Sequence, residues 1–239
     1  MTELPKDEQE IKREFQELAY MIVHHLKEPV RSIRSGAELI LETEQEFSPN
    51  MQSHPPSAVS YATRILQGAL RLEGLTTSIA QYADDLGDED EPMEPTDTEA
   101  VLRAVRQKLY PLILQTQAKV TTETLPKLKC QPARFSRLVE HLLRNAIVYC
   151  REGVPPLVHV SARRDGPQWL FSISDNGIGI EPSYLEHVFE PLRRLHAKRC
   201  AGLGMGLAVC RKIVMRHGGR IWLESKPDAG STAFFTLPA

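Results

Sequence analysis

Apolar residues recur at steps of three and four through residues 6–46, a segment in which Gly36 is the only glycine. Such spacing predicts one long helix with a single buried stripe. The stripe consists of Ile11, Phe15, Leu18, Ile22, Leu26, Val30, Ile33, Ala37 and Ile40. The prolines and small polar residues of FSPNMQSHPPS then predict a loop.

A second helix is predicted from Ala58 to Leu86, where Ile65, Leu72 and Ile79 continue a seven-residue apolar repeat. Two amphipathic helices joined by a short loop form a helical hairpin. A lone hairpin cannot enclose its own apolar stripe, so we expect a homodimer that completes a four-helix bundle.

The acidic, proline-bearing stretch Asp84–Pro95 predicts a linker between two domains. We therefore expect an all-α domain over residues 1–90 and a second domain over residues 91–239.

The second domain mixes helical and strand patterns. Helices are predicted at Thr98–Thr116, at Pro132–Tyr149 and in GLAVCRKIVMRHG, which ends at Gly218. Short alternating runs predict strands in LVHVSARR, QWLFSISD, GRIWLES and TAFFTLP. The pattern favours an α+β domain, a mainly antiparallel sheet with helices on one face.

Composition narrows the functional classes. The chain is 41% hydrophobic and 25% charged with a net charge of −2, which argues against nucleic-acid binding. Its four cysteines are scattered, as in reduced cytosolic proteins. No apolar run approaches the ~20 residues of a membrane span, and the acidic N-terminus is no signal peptide. We expect a cytoplasmic protein.

The stretch SDNGIGI, Ser174–Ile180, places an aspartate at a strand end before two glycines. Glycine permits close approach of a ligand, and the carboxylate of Asp175 can accept a hydrogen bond from an exocyclic amine such as that of adenine. A tight turn without a ligand explains the same residues.

Three alternating glycines, Gly202, Gly204 and Gly206, precede a predicted helix. Backbone N–H groups at such a helix start can bind phosphate. The motif is not a Walker A sequence, and it does not follow a strand as a dinucleotide fingerprint does.

The stretch HLLRNAIVY puts Asn145 and His141 one turn apart on a helix. The amide oxygen of Asn145 is a candidate contact for a metal ion or a ligand water. A hydrogen-bonded surface asparagine is the alternative.

Taken in order, Asn145, DNGIGI, VFEPLRRLH, GLGMGL and GGRIWLESKPDAGSTAFFTLP closely resemble the catalytic ATP-binding domain of sensor histidine kinases, a sandwich of the GHKL or Bergerat fold. The resemblance implies an N box at Asn145, a G1 box at Asp175–Gly179, an F box around Phe189 and a short lid at about Leu195–Ala201. It implies that adenine binds Asp175 and that Mg²⁺ is held by Asn145 and His141. The implied ATP-binding residues are Asn145, Asp175, Gly177, Gly179, Gly202, Gly204, Gly206 and Leu207.

The first helix resembles the phosphoacceptor hairpin of phytochrome-type kinases, whose pattern is histidine, acid, leucine, two residues, proline. In FQELAYMIVHHLKEPVRSI, His24 falls on the phosphoacceptor and His25 on the acid. At roughly 100° per residue, His24 lies about 190° from the centre of the buried stripe and His25 about 70°. The exposed His24 is therefore the better nucleophile. Pro29 is expected to bend the helix and help present it.

Three positions depart from the family pattern. His25 stands where an acid orients the acceptor, and Glu28, one turn from His24, can substitute for it. His141 stands where the N box usually begins with asparagine, which should weaken Mg²⁺ binding or favour Mn²⁺. Val148 replaces a lysine that often follows the N box.

Two functions remain open. The leading one is an ATP-dependent histidine kinase in which His24 attacks the γ-phosphate and the phosphoryl group passes to an aspartate of a response-regulator receiver domain. Arg31 and Arg34 are candidate docking residues for that partner, unless they simply form a solvated face.

The alternative function is a catalytically degenerate dimeric scaffold that binds nucleotide weakly or not at all. A Ser/Thr kinase or gyrase-like ATPase is disfavoured by the histidine hairpin. Because no sensory segment precedes the acceptor helix, we expect a separate sensor protein, or a fragment.

Overall fold

The structure is a computed structural model that describes residues 22, 26–40, 58–87, 92–191, 193, 195 and 204–239. The chain divides into two compact units, Met1–Ala80 and Gln81–Ala239. The linker boundary predicted near residue 90 remains a prediction. Within the described residues, no helix is both long enough and apolar enough to cross a membrane.

Two closely packed helices make up the described part of the first unit. Helix α1 covers residues 26–40, and helix α2, Ala58–Gly87, begins in this unit. A β-carbon on Gly36 would lie 2.8 Å from Cγ1 of Ile65, and one on Gly68 would lie 2.8 Å from Cγ1 of Ile33. Gly36 follows Ile33 in α1, whereas its contact Ile65 precedes Gly68 in α2, so the two helices run antiparallel. The predicted hairpin is thus present in these residues, whereas its dimeric bundle and the bend at Pro29 remain predictions.

The contact at Gly68 yields a test of the hairpin. A side chain there would meet Ile33 and would also lie 3.1 Å from the carbonyl oxygen of Pro29. We expect Gly68→Leu to force the helices apart and to destabilise the hairpin by about 1–3 kcal/mol, the usual cost of overpacking. The matched control is Gln67→Leu, which adds an apolar side chain at the neighbouring exposed position.

Urea unfolding followed by far-UV circular dichroism measures the difference. Equal stability of the two variants would show that the two helices do not depend on close contact at Gly68.

The second unit is built on a five-stranded sheet in the order β2-β4-β5-β7-β6. Its strands are β2 (Lys119–Thr122), β4 (Leu157–Asp165), β5 (Gln168–Asp175), β6 (Ile221–Lys226) and β7 (Gly230–Pro238). All pairings are antiparallel except that of β2 with β4, which is parallel. Strands β1 (Glu94–Asp97) and β3 (Lys127–Cys130) form a separate antiparallel pair.

Four helices accompany the sheet: α3 (Thr98–Lys108), α4 (Tyr110–Thr116), α5 (Pro132–Val148) and α6 (Gly206–Arg216). Two short 3-10 helices, Pro182–Tyr184 and His187–Phe189, lie between β5 and α6. Helix α5 packs on β4 and β5, and α6 packs on β6 and β7. The predicted α+β architecture with a mainly antiparallel sheet is confirmed.

Three phenylalanines form the centre of the core between α5 and the sheet. Phe171 and Phe235 are paired across β5 and β7, and their rings stack 4.8 Å apart. Phe135 of α5 meets Phe171 edge-on at 5.8 Å, and all three side chains are buried. Because side chains alternate along a strand, Asp175 of β5 points to the same face as Phe171. The core therefore directs this carboxylate toward the helical layer.

Two predicted segments differ from the structure. The single helix predicted at Thr98–Thr116 is two helices, α3 and α4, which meet at Leu109. Pro111 lacks the N–H that would continue the hydrogen-bonding pattern of α3. The helix predicted from about Ala58 to Leu86 is confirmed as Ala58–Gly87, but it means that the start of the predicted linker Asp84–Pro95 is helical.

The other end of that linker is also ordered, because Glu94 and Pro95 begin strand β1 and pair with Cys130 and Lys129 of β3. Strands β1, β2 and β3 were not predicted, since four residues are too few to show a clear alternation. Their pairing with distant segments holds them in place.

Candidate functional site

The candidate site is organised around Asp175, the last residue of β5. Oδ1 of its carboxylate accepts hydrogen bonds from the backbone N–H groups of Gly177, at 2.8 Å, and Ser231, at 3.1 Å. No described residue donates a hydrogen bond to Oδ2. One oxygen is thus fixed by the protein, and the other is available to a ligand that carries an N–H donor.

Burial raises the pKa of the Asp175 carboxyl above its usual range, although the N–H groups of Gly177 and Ser231 partly oppose that shift. Desolvation disfavours the charged form, and hydrogen bonds to the carboxylate favour it. Carboxyl groups whose pKa is shifted by burial cluster at functional sites, so Asp175 is a candidate binding residue.

The turn after Asp175 is enclosed on two sides. A β-carbon on Gly177 would collide with the carbonyl oxygen of Tyr149, at the end of α5, and lie 2.8 Å from Oδ1 of Asp175. A β-carbon on Gly179, whose φ is 70°, would collide with the carbonyl oxygen of Lys226 at the end of β6. Neighbouring carbonyl groups thus leave no space for a side chain at Gly177 or Gly179. The geometry of a tight turn alone would not require glycine at both positions.

Backbone hydrogen bonds join the same turn to its neighbours. The N–H of Ile178 donates to the carbonyl oxygen of Tyr149 at 3.0 Å, and the N–H of Asp228 donates to the carbonyl oxygen of Ile178 at 2.8 Å. The turn that carries the candidate adenine contact is thus bound to α5 and to the turn between β6 and β7.

Helix α5 brings the predicted boxes together along one face. His141, Asn145 and Tyr149 follow one another at intervals of four residues, which places them above one another on a helix. A β-carbon on Gly206, the first residue of α6, would lie 3.2 Å from Nδ1 of His141. At the other end of this helix face, the carbonyl oxygen of Tyr149 accepts a hydrogen bond from the N–H of Ile178 in the turn after Asp175.

Asn145 lies midway between those two contacts. Its side chain is half-buried, and no described residue forms a hydrogen bond with its amide group. The alternative considered from the sequence, a surface asparagine hydrogen-bonded to other protein groups, finds no such partner among the described residues. Asn145 offers an oxygen and an N–H group between the start of α6 and the turn after Asp175.

Gly204, the described glycine before α6, lies against the backbone of Arg193. Gly204 has a φ of 75°, and a β-carbon there would collide with the backbone of Arg193. Leu207 is half-buried in the first turn of α6. Phe189 of the predicted F box is buried at the end of the second 3-10 helix. The backbone at Gly204 therefore requires glycine both for its conformation and for space.

Several predicted site residues lie outside the described residues. They are His24, His25, Gly202 and all of the predicted lid Leu195–Ala201 except Leu195. Glu28 is described, and it is an exposed residue of α1. The roles predicted for these residues remain predictions.

Sequence reasoning missed two contributors to the site. Ser231 supplies one of the two N–H groups on the Asp175 carboxylate, and Arg151 donates hydrogen bonds to two turns beside it. The glycine before Ser231 was a usable signal, because Gly230 has a φ of 101° and its β-carbon would collide with the Asp175 carbonyl oxygen. Nothing in the sequence near Arg151 indicated its contacts.

Residues 130–239 match a protein family described as "Histidine kinase-, DNA gyrase B-, and HSP90-like ATPase". Cyanobacterial phytochrome A of Nostoc is 30% identical over 239 residues, which are 100% of this chain and 30% of that protein. The adaptive-response sensory kinase SasA of Synechococcus elongatus is 29% identical over 224 residues, 91% of this chain and 57% of that protein.

A solved structure of histidine kinase ThkA in complex with response regulator protein TrrA aligns with a TM-score of 0.71 at 20% identity. The alignment covers 100% of this chain and 67% of that one. At this identity the likeness shows the fold. It extends over both units.

The fold and the matched family define a catalytic domain of the GHKL class. Residues 130–239 match the ATPase domain of this class, and the chain as a whole is similar to sensor histidine kinases. It spans 30% of the length of cyanobacterial phytochrome A, so the activity and partners of the whole protein are matters for proposal.

The raised pKa of Asp175 predicts how stability without ligand changes with pH. Because the folded state binds the proton more tightly than the unfolded state, the contribution of this group to stability is greatest at acid pH and is lost as pH rises through the raised pKa. Asp175→Asn keeps an acceptor for both N–H groups and removes the buried charge.

We therefore expect Asp175→Asn to be at least as stable as the wild type at pH 7, with the difference shrinking as pH falls through the raised pKa of Asp175 and vanishing near about pH 4, the ordinary aspartate value. Thermal unfolding of both proteins between pH 4 and 8 measures it. Lower stability of the variant at neutral pH would show that the buried charge of Asp175 does not reduce the stability of the folded protein.

Proposed function

We propose that this chain is an ATP-dependent protein-histidine kinase that phosphorylates His24 and passes the phosphoryl group to an aspartate of a response-regulator receiver domain. The observation that carries the proposal is the carboxylate of Asp175, fixed through Oδ1 and open at Oδ2. Its open oxygen suits the exocyclic amine of adenine.

The remainder of the proposed nucleotide site follows α5 toward α6. The half-buried amide of Asn145 has no hydrogen bond to a described residue, and Gly206 begins α6 beside the His141 ring. N–H groups at a helix start favour phosphate oxygens, which suits the triphosphate. Gly202, Gly204 and Leu207, which lie close to Gly206 in the sequence, are the further residues that we propose to bind ATP. These residues fit an adenine nucleotide.

Mg²⁺ would be held by the oxygen of Asn145 together with phosphate oxygens, with His141 as a further ligand. Magnesium usually takes only one or two protein ligands, and it neutralises charge on the phosphates when it is bound. Imidazole suits Mn²⁺ better than Mg²⁺. We therefore expect activity with Mn²⁺ to equal or exceed that with Mg²⁺.

In the proposed reaction, a ring nitrogen of neutral His24 forms a bond to the γ-phosphorus while the bond from phosphorus to the bridging oxygen breaks and ADP leaves. The ring loses its proton to a nearby base, for which Glu28 and His25 are the candidates. Glu28 is exposed on α1 and is therefore accessible for that role.

The hairpin supports the proposal of a homodimer. Val30 of α1 and Leu66 and Leu70 of α2 are 51%, 59% and 56% exposed, which is unusual for large apolar side chains that recur at helical spacing. A second hairpin placed on these residues would complete a four-helix bundle. The solved ThkA–TrrA complex supports a response regulator as the partner.

A degenerate scaffold is the second candidate, and the position of His141 favours it. The imidazole lies against Gly206 at the start of α6, where the phosphates are proposed to bind. If that ring blocks the phosphates, the protein will be a dimeric docking protein without phosphoryl transfer.

Labelling with γ-labelled ATP separates the two candidates. We expect the wild type to acquire acid-labile, base-stable label with Mg²⁺ or Mn²⁺. His24→Ala should abolish the label, because it removes the attacking nitrogen. His25→Ala, the matched control one residue away, should retain label at a rate reduced by about tenfold to a hundredfold if His25 is an accessory base.

The same labelled protein, mixed with a receiver domain, should lose its phosphoryl group to that domain. Two results would count against the kinase: no label with either metal from a folded dimer, or equal labelling of His24→Ala and the wild type. The first result would favour the scaffold.

A further inference from the structure

Arg151 joins three segments that are far apart in the chain. It follows the end of α5, and its half-buried side chain reaches two backbone carbonyl groups. Its Nε–H donates to the carbonyl oxygen of Asn176 at 2.9 Å, and Nη1 donates to the carbonyl oxygen of Asp228 at 3.2 Å. One guanidinium group therefore connects the end of α5, the turn after β5 and the turn between β6 and β7.

These two carbonyl groups belong to the turns that form the carboxylate site. Asn176 directly follows Asp175. Asp228 precedes Ser231 by three residues, and Ser231 donates its N–H to Oδ1 of Asp175. Arg151 thus holds the turn that directly follows the carboxylate and the turn that leads into β7, whose second residue, Ser231, supplies one of the two donors.

The turn at Asp228 depends on outside support. Asp228 has a φ of 60°, a left-handed conformation that is costly for a residue with a side chain, although aspartate tolerates it better than most. Its N–H donates to the carbonyl oxygen of Ile178, and its own carbonyl oxygen accepts from Arg151. Removing the guanidinium removes one of the two bonds that hold this residue in place.

The side chain of Asn176 holds the same turn from the other side. Its Oδ1 accepts from the N–H of Leu157 at 2.8 Å, and its Nδ2 donates to the carbonyl oxygen of Pro155 at 3.2 Å. The side chain of Asn176 is therefore tied to the start of β4, and its backbone carbonyl is tied to Arg151. Without Arg151 the turn keeps its overall place and the hydrogen bond between the N–H of Asp228 and the carbonyl oxygen of Ile178, but it loses the second link to Asp228 that runs through the guanidinium.

We infer that Arg151 is a positioning residue that sets the selectivity of the site for a 6-amino purine. This inference rests on the proposed function. Adenine donates an N–H to Oδ2 of Asp175, whereas a 6-oxo purine such as guanine presents an oxygen lone pair to the same carboxylate. Repulsion between the carboxylate and the 6-oxo oxygen excludes guanine strongly only while the carboxylate is held rigidly. Arg151 supplies that rigidity through the backbone on both sides.

Lysine cannot replace arginine fully in this position. The planar guanidinium directs two N–H donors along fixed directions to two acceptors, whereas an ammonium group on a flexible stem is a single charged point. Arg151→Lys can reach one carbonyl and should behave between the wild type and Arg151→Met. A purely charge-based role would instead be rescued by lysine completely.

The test compares Arg151→Met and Arg151→Lys with the wild type in the full 239-residue chain. Arg103→Met, an exposed residue of α3, is the control for loss of one arginine charge. Calorimetric titration with ATP and with GTP, each with Mg²⁺, gives both affinities. We expect Arg151→Met to weaken ATP binding by about tenfold to a hundredfold, the range for losing charged hydrogen bonds, and to change GTP binding much less.

The ratio of the two affinities is the decisive readout. It should fall in Arg151→Met, fall partly in Arg151→Lys and stay unchanged in Arg103→Met. In the labelling reaction KM for ATP should rise while kcat stays close to the wild-type value. An unchanged affinity ratio in Arg151→Met would overturn the inference and leave the proposed function standing.

Amide hydrogen exchange without nucleotide tests the same contact independently of binding. We expect faster exchange at Gly177, Asp228 and Ser231 in Arg151→Met than in Arg103→Met. Unchanged exchange would overturn the positioning role. A wild type that binds no ATP would overturn both the proposed function and the selectivity assigned to Arg151.

Discussion

The carboxylate of Asp175 depends on two backbone donors that are more than fifty residues apart in the chain, Gly177 in the turn after β5 and Ser231 near the start of β7. Both donors bind the same oxygen, so the orientation of the group follows from the backbone. The pairing of β5 with β7 brings the two donors together, because Ser174 and Thr232 are partners in that pair. The site is therefore a consequence of strand order.

This arrangement lowers the stability of the protein when no ligand is bound. Burial raises the pKa of Asp175, which means that the charged form needed by a donor ligand is disfavoured in the empty fold. The surrounding contacts offset that cost. Gly177 and Gly179 admit neighbouring carbonyl groups, and Phe171 and Phe235 hold β5 and β7 in place by stacking. Such a conflict between function and stability is expected at a binding site.

The sequence predicted the parts of the fold that have a clear local period. The helix from Ala58, helix α5 and the four long strands were predicted within a few residues, because alternation and helical spacing are visible over such lengths. Strands β1 to β3 were missed because they are held by pairing with distant segments. The break between α3 and α4 was missed although Pro111 marks it.

The candidate site was predictable to a similar degree. Asp175, Asn145 and the glycines stand in motifs whose order carried the resemblance to histidine kinases. The contacts of Arg151 were not predictable, because its acceptors are backbone carbonyl groups of Asn176 and Asp228, which no side-chain motif reveals. The close approach of His141 to Gly206 likewise depends on how α5 and α6 pack.

Binding of the adenine amine by Oδ2 of Asp175 is the interaction on which the proposed function depends. Calorimetric titration of the wild type and of Asp175→Asn with ATP and Mg²⁺ measures it, since the amide keeps the shape of the carboxylate and removes its charge. We expect saturable binding of ATP by the wild type and an affinity at least about tenfold lower in the variant. Equal affinity in the two proteins, or no binding by a folded wild type, would contradict it.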